Sequence, residues 1–165
     1  MERDSVDRHV AMWLPELPDL DPRIEAIVTR MQLIVRYLCD NKERVFNEHG
    51  LRTWEWQILR GLRQGGEPYT ATPTALAEQT GVPATTMTSR LDRLEARGLI
   101  ARAHDPDDRR RLLVEMTGAG HAAWEGTMSG QDRVEKELLA VLGAEEQDHL
   151  ADLLRPLMLH VDAHT

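Results

Sequence analysis

The sequence predicts a mainly α fold with a small two- to three-stranded β wing. Three observations carry this. Apolar residues recur at helical spacing over most of the chain. Strand-like character is confined to two short segments, Leu99–Ala103 and Arg111–Met116, on either side of the turn cluster His104-Asp105-Pro106-Asp107-Asp108. Prolines, glycines and small hydroxyl residues fall where helix caps and stops belong. The 165 residues, 18.8 kDa, suffice for one ordinary domain with long appended helices.

Taken in order, residues 4–14 read as a short helix ending before Pro15, and the Pro-rich stretch to Pro22 as a linker. From Pro22 to about Asn47 the apolar set Ile24, Ile27, Val28, Met31, Ile34, Val35 and Leu38 marks a long helix, capped by Asp21 and stopped at His49-Gly50. A helix over Arg52–Arg63 carries Trp54, Trp56, Ile58, Leu59 and Leu62, and Gln64-Gly65-Gly66-Glu67-Pro68 breaks it. Thr72 and Pro73 open the next helix, which runs to Gln79 before Thr80-Gly81. Another begins at Pro83 and runs to Arg97, with Gly98 as its stop. After the two strands, Thr117 caps a helix expected to reach Leu142, with Gly126 and Gly130 as weak points. The last helix, Ala144–Val161, carries a leucine-rich stripe, and Pro156 is expected to kink it or end its regular part.

Composition narrows the function. Hydrophobic residues are 41% and charged residues 29%, a soluble globular balance. No apolar stretch approaches a membrane span, and the start MERDSVDRHV has no apolar signal region, so a cytoplasmic protein is expected. The single cysteine, Cys39, excludes an internal disulfide framework and fits a reducing compartment. A net charge of −8 argues against non-specific coating of nucleic acid. The charge is uneven, however. Between Arg90 and Arg111 seven arginines oppose five acids, so that segment is +2 and the rest −10. A basic centre on an acidic body suits specific DNA binding.

Residues 72–116 read as helix, short turn, helix and hairpin. Ala77 lies four residues before Gly81, so two helices can cross closely there and the glycine can take the turn. Met87, Leu91 and Leu94 are expected to face the core. Thr85, Thr86, Thr88, Ser89 and Arg93 then face outward. Short hydroxyls and a long cation suit base edges and phosphates, and they cluster at the end of the helix that enters a groove. Past the hairpin turn stand Arg109, Arg110 and Arg111. Arginines on such a loop can enter a narrow minor groove, and Asp108 is expected to pair with Arg110 or a neighbour and hold it.

The run LDRLEARGLIARAHDPDDRRRLLVEMTGAG resembles the winged helix-turn-helix regulators of the MarR family. Met116 stands where the family commonly has leucine. The resemblance covers nearly the whole chain. It implies a homodimer whose first and last helices interlock, with two winged lobes reading a near-palindromic double-stranded DNA operator. On this basis residues 1–21 are an N-terminal extension, 22–50 and 117–165 a dimerisation region, and 51–116 the DNA-binding lobe. Thr85, Thr86, Thr88, Ser89 and Arg93 become recognition-helix contacts, Arg109 and Arg110 wing contacts, and Asp108 with Arg110 the family's paired wing residues. The residues independently favour a dimer, because the first and last long helices carry apolar stripes that a small winged lobe cannot cover.

The N-terminal extension resembles the family's urate-responsive branch. That likeness implies a ligand site in which Trp13, Arg90 and Arg102 match three branch residues, while Gln57 stands where the branch has aspartate. Two arginines can hold a planar anion and a tryptophan can cover its face. Gln57 removes a charge, and Glu55, its nearest acid, should point to another helix face. The function expected is a repressor released by a small anionic, urate-like aromatic effector. The competing class is a winged-helix protein–protein interaction module. No nucleophile–base pair, phosphate loop or carboxylate dyad points to an enzyme, and no cofactor is implied. Metal sensing rests only on a weak His104-Asp105 match and on convergence of His9, His49, His104 and His121. Redox sensing rests on Cys39, which sits beside Asp40 and is expected half-buried and inert.

Overall fold

A computed structural model describes residues 2–164. The order is α1 (Ser5–Trp13), α2 (Pro22–Glu48), α3 (Thr53–Gln64), β1 (Thr70–Ala71), α4 (Pro73–Thr80), α5 (Ala84–Ala96), β2 (Ile100–His104), β3 (Leu112–Met116), α6 (Gly118–Leu139) and α7 (Ala144–Asp162). The fold is mostly helical with one small antiparallel sheet ordered β1-β3-β2. Among the described residues no helix is long and apolar enough to cross a membrane.

Side-chain caps mark several helix starts, those at Asp21 and Thr72 as expected. Asp4 Oδ1 accepts from the Val6 and Asp7 amides at 2.8 and 3.0 Å, and Asp7 answers by accepting from the Asp4 amide, a reciprocal cap. Asp21 caps α2 ahead of Pro22, and Thr72 caps α4 ahead of Pro73. Gly81 closes α4 at φ +64°, a left-handed conformation that glycine takes without strain.

The core lies in the lobe built by α3, α4, α5 and the sheet. Ile58, Leu59, Leu62, Leu76, Met87, Leu91, Leu94 and Val114 are buried there, with Ala77 at the α4–α5 crossing. Met87, Leu91 and Leu94 therefore face inward as their spacing predicts. Phe46, at the end of α2, stacks on Trp56 at 5.1 Å and ties the long helix to the lobe.

Several features differ from expectation, each for a local reason. β1 was not singled out, because two residues carry no alternation to read. β2 starts at Ile100, since the Leu99 amide closes the end of α5 on Leu94 O at 3.0 Å. β3 starts at Leu112, since Arg111 closes the hairpin turn through Asp108 O and Asp105 N. Helix α6 stops at Leu139 rather than Leu142, where Gln147 Nε2 donates to both Leu139 O and Leu142 O at 3.1 and 3.0 Å. Pro156 does not end α7, which continues to Asp162. A proline removes one donor, and at this exposed position solvent can serve the carbonyl left over.

Two contacts place the helices around the lobe. The α6 glycines allow close approach: a Cβ on Gly130 would lie 2.6 Å from Val45, and one on Gly120 would collide with the Leu99 carbonyl. At the other end α1 lies on α2. Val6 and Val10 are buried, Arg30 bridges Asp4 and Asp7 at 2.9 and 2.8 Å, and His9 meets Glu25 at 3.2 Å. The Arg30 guanidinium draws the Asp4 carboxyl down to about 2.

Gly120→Ala is expected to destabilise the fold by ~1–3 kcal/mol through overpacking. Gly118→Ala, whose Cβ would meet nothing within 4 Å, is expected to be neutral or slightly stabilising. Thermal unfolding of the two variants checks the contrast. Because the folded pKa of Asp4 is depressed, its contribution to α1 docking is present above the ordinary value of 3.8 and lost as pH falls toward 2. Hydrogen exchange over α1 should rise in that window, and Arg30→Ala should produce the same rise at neutral pH.

Candidate nucleic-acid interface

Helix α5 presents the outward face its sequence predicts. Thr85, Thr86, Thr88, Ser89 and Arg93 are all exposed, while Met87, Leu91 and Leu94 anchor the opposite side. Thr88 Oγ1 donates to Ala84 O at 3.1 Å and Ser89 Oγ to Thr86 O at 2.9 Å. Each hydroxyl oxygen keeps lone pairs for an outside donor. The turn before α5 is short, so α4 fixes the position of its N-terminal end.

At the wing, Asp108, Arg109 and Arg110 are exposed at the hairpin tip. The expected side-chain pair between Asp108 and Arg110 is not formed. Asp108 Oδ1 instead accepts the Arg110 main-chain amide at 3.0 Å, and Asp105 Oδ1 accepts the Asp107 amide at 2.9 Å. These side-chain-to-amide turns set the loop shape and leave the Arg110 guanidinium pointing free of its own carboxylate. The ion pair at the tip is Arg111 with Asp105, at 3.5 Å.

The four residues assigned to a ligand site occupy separate settings. Trp13 is 41% exposed at the end of α1, its ring 6.3 Å from His9. Gln57 lines a small cavity with Arg60, Gly61, Gln64, Gln79 and Thr80. Arg90 stands over the Trp54 ring, 5.4 Å from its centroid. Arg102 on β2 reaches back to α5, donating to Asp92 at 2.7 Å and to Glu95 at 3.0 Å. The Arg102 guanidinium holds the Glu95 carboxyl below the usual range, and Glu95, then Asp92, raise Arg102 in turn. The cation assigned to an anionic ligand thus already has two carboxylates.

Glu55 does point elsewhere, as its helix position predicts. Buried at 3% exposure, it accepts the Arg52 amide at 2.8 Å and an Arg97 guanidinium contact at 2.6 Å. Its partner Arg97 is 42 residues away in sequence, and no local signal marks the pair. The same is true of Arg63, whose guanidinium lies between the rings of Tyr69 and Trp124 and 3.1 Å from His121 Nδ1, joining α3 to α6. Cys39 is exposed rather than half-buried. His9, His49 and His121 each sit beside a different neighbour and do not converge. His160 and His164, four positions apart, bring their rings to 4.4 Å at a tilt of 39°, but among the described residues no group of three or more metal ligands is gathered.

Comparison with known proteins agrees with this geometry. Residues 49–111 match the model of the MarR family. The chain is 30% identical over 152 residues to the HTH-type transcriptional regulator PecS of Dickeya dadantii, covering 92% of each chain. The fold is shared with the YusO protein of Bacillus subtilis at a TM-score of 0.76 and 23% identity, over 86% of this chain and 98% of that one. It is also similar to NadR, solved in complex with 4-hydroxyphenylacetate, at a TM-score of 0.55 and 27% identity over 79% of this chain and 91% of that one. PecS is named as an HTH-type transcriptional regulator. With its matching lobe, its exposed α5 face and its arginine-bearing hairpin, the chain belongs to the MarR family of winged helix-turn-helix, DNA-binding transcriptional regulators.

Proposed function

We propose that the protein acts as a homodimeric repressor that binds a near-palindromic duplex operator and is released by a small aromatic anion. The observation that carries this reading is the combination of an exposed hydroxyl-and-arginine helix with an α7 that buries none of its residues. Leu153, Leu157, Met158 and Val161 of α7 are 50–56% exposed. Ile24, Ile27, Ile34 and Val35 of α2 are 46–59% exposed. Stripes of this length on two helices mark an interface, and a second copy of the chain supplies the matching stripes by two-fold symmetry. Residues 22–50 and 117–165 would then form the dimer body and residues 51–116 the reading lobe. Two recognition helices about 34 Å apart fit successive turns of one DNA face.

The α5 hydroxyls and Arg93 enter the major groove in this reading, and Arg109 and Arg110 reach the flanking minor groove, with Asp108 shaping the loop. The effector site draws on Trp13, Gln57, Arg90 and Arg102. Trp13 is exposed enough to be shared with a partner, Gln57 is a neutral hydrogen-bonding wall, and the two arginines sit on α5 and the strand behind it. NadR's complex with 4-hydroxyphenylacetate supports an aromatic anion as the effector class. An anion there alters the contacts of α5, and release follows to the extent that it binds the two states differently.

A gel-shift titration on the duplex upstream of the protein's own gene, with and without urate and related planar anions, tests the reading. Specific binding that weakens steeply with salt and is relieved by the anion is expected. Arg110→Ala should cost ~1–3 kcal/mol of duplex affinity. Full-affinity binding by that variant would remove the wing from the interface. Trp13→Ala should leave duplex binding intact while blunting the anion response, and loss of the dimer would make Trp13 a structural anchor instead. No specific duplex binding there or elsewhere in the genome would favour the protein–protein module.

A further inference from the structure

We propose that the groove between the N-terminal end of α3 and the C-terminal half of α5 is a second DNA contact, an arginine cradle that grips the phosphate backbone beside the groove that α5 reads. This rests on the proposed DNA-binding mode, shares Arg93 with it at the groove edge, and adds Arg52 as a contact with no base-reading role.

The cradle is an open groove of about 580 Å³ lined by Arg52, Trp54, Glu55, Arg93, Ala96 and Arg97. Three of these six are arginines. The only carboxylate among them, Glu55, is buried and already engaged by Arg97 at 2.6 Å. Among the described residues neither Arg52 nor Arg93 has a carboxylate within salt-bridge distance. Asp92 and Glu95, the acids of the same helix, are drawn to Arg102 on its other side. Arg90 adds a further cation on the Trp54 ring. The result is a concentrated positive face on a chain of net charge −8. With Arg97 paired to Glu55, Arg52 and Arg93 are the two cations the groove leaves without a carboxylate, and such a pair fits a polyanion.

Its position fits the duplex backbone. Thr86, Ser89, Arg93 and Arg97 follow one another along a single stripe of α5, at helical spacing. A helix rises about 1.5 Å per residue, so Arg97 lies about 16 Å along the axis from Thr86. The major groove is about 12 Å wide. When the N-terminal hydroxyls meet base edges, the C-terminal arginines stand over the strand that borders the groove. Arg52 then faces the same strand from α3, and the positive end of the α3 dipole adds to the field. Trp54 forms the floor, and its packing against the core keeps the two helices at a fixed spacing.

The test compares the full-length wild-type protein with Arg52→Gln and Arg52→Lys on two labelled duplexes, one selected by the protein from a randomised pool and one scrambled. The Arg52 side chain makes no fold-holding contact, because it is the Arg52 amide that meets Glu55. An unchanged thermal midpoint confirms this for each variant. Each neutralised phosphate contributes about −0.9 to the slope of log affinity against log salt. Arg52→Gln should therefore reduce the slope by about 1 per subunit, lower affinity by the same factor on both duplexes, and be rescued by Arg52→Lys. A wild-type slope and affinity in Arg52→Gln, alongside weakened binding by Arg110→Ala, would overturn the cradle and leave the reading helix and wing in place. A loss confined to the selected duplex would also overturn it, since that is base reading. Absence of duplex binding by the wild type would overturn the DNA-binding mode and the cradle with it.

Discussion

One buried carboxylate ties the start of α3 to the end of α5. Glu55 sits at the start of α3, accepts the Arg52 amide and receives Arg97 from the end of α5. Arg97 also donates to Gly50 O at 2.6 Å, at the turn that ends α2. Three helix ends thus meet at one anion. Burying a charge costs several kcal/mol unless it is paired and hydrogen-bonded, so Glu55 is tolerable only while both donors stay in place. Arg97 remains 42% exposed on its side chain, which spares most of its own desolvation. The junction thereby ties the end of α5 to the start of α3 and to the turn that follows α2.

Much of this was legible in the sequence. The caps at Asp21 and Thr72, the stop at Gly81, and the inward set Met87, Leu91 and Leu94 all obey local rules, which depend on residues within one or two turns of each other. The outward hydroxyls of α5 follow from the inward set by subtraction. What stayed hidden depends on distance in sequence. Nothing near Glu55 announces Arg97, and nothing near Arg90 announces Trp54, 36 positions earlier. The wing shows the same limit on a smaller scale. Asp108 and Arg110 have the charges for an ion pair, yet the tight turn brings the main-chain amide to the carboxylate first. The short strand β1 exists because β3 offers it an edge, with Thr70 against Glu115, not because its own residues demand extension.

Helix α5 sorts its charges by face. Asp92 and Glu95 look toward β2 and neutralise Arg102, while Arg90, Arg93 and Arg97 look toward α3. The helix body consequently carries little net charge, but its two sides differ sharply. That arrangement explains how an acidic chain presents a basic surface. The acids are consumed by Arg102 on the β2 side, and the cations without a carboxylate partner collect on the α3 side.

The same sorting sets the sign of any coupling through Arg102. An aromatic anion that binds this guanidinium does not meet an unpaired cation. It must exchange places with Glu95 or Asp92, so its net gain is the difference between two carboxylate-type contacts rather than a whole ion pair. The displaced carboxylate remains on α5, a turn or less from Arg93. In the proposed DNA-binding mode it would either compete for the arginines on the α3 side of the helix or add a negative charge beside the phosphates. Both outcomes disfavour the DNA-bound state, and linkage requires that DNA disfavour the anion equally. Within the proposed operator-bound dimer, the Arg102–Glu95 pair would therefore make release, not tighter binding, the direction in which an anion at this position pushes the equilibrium.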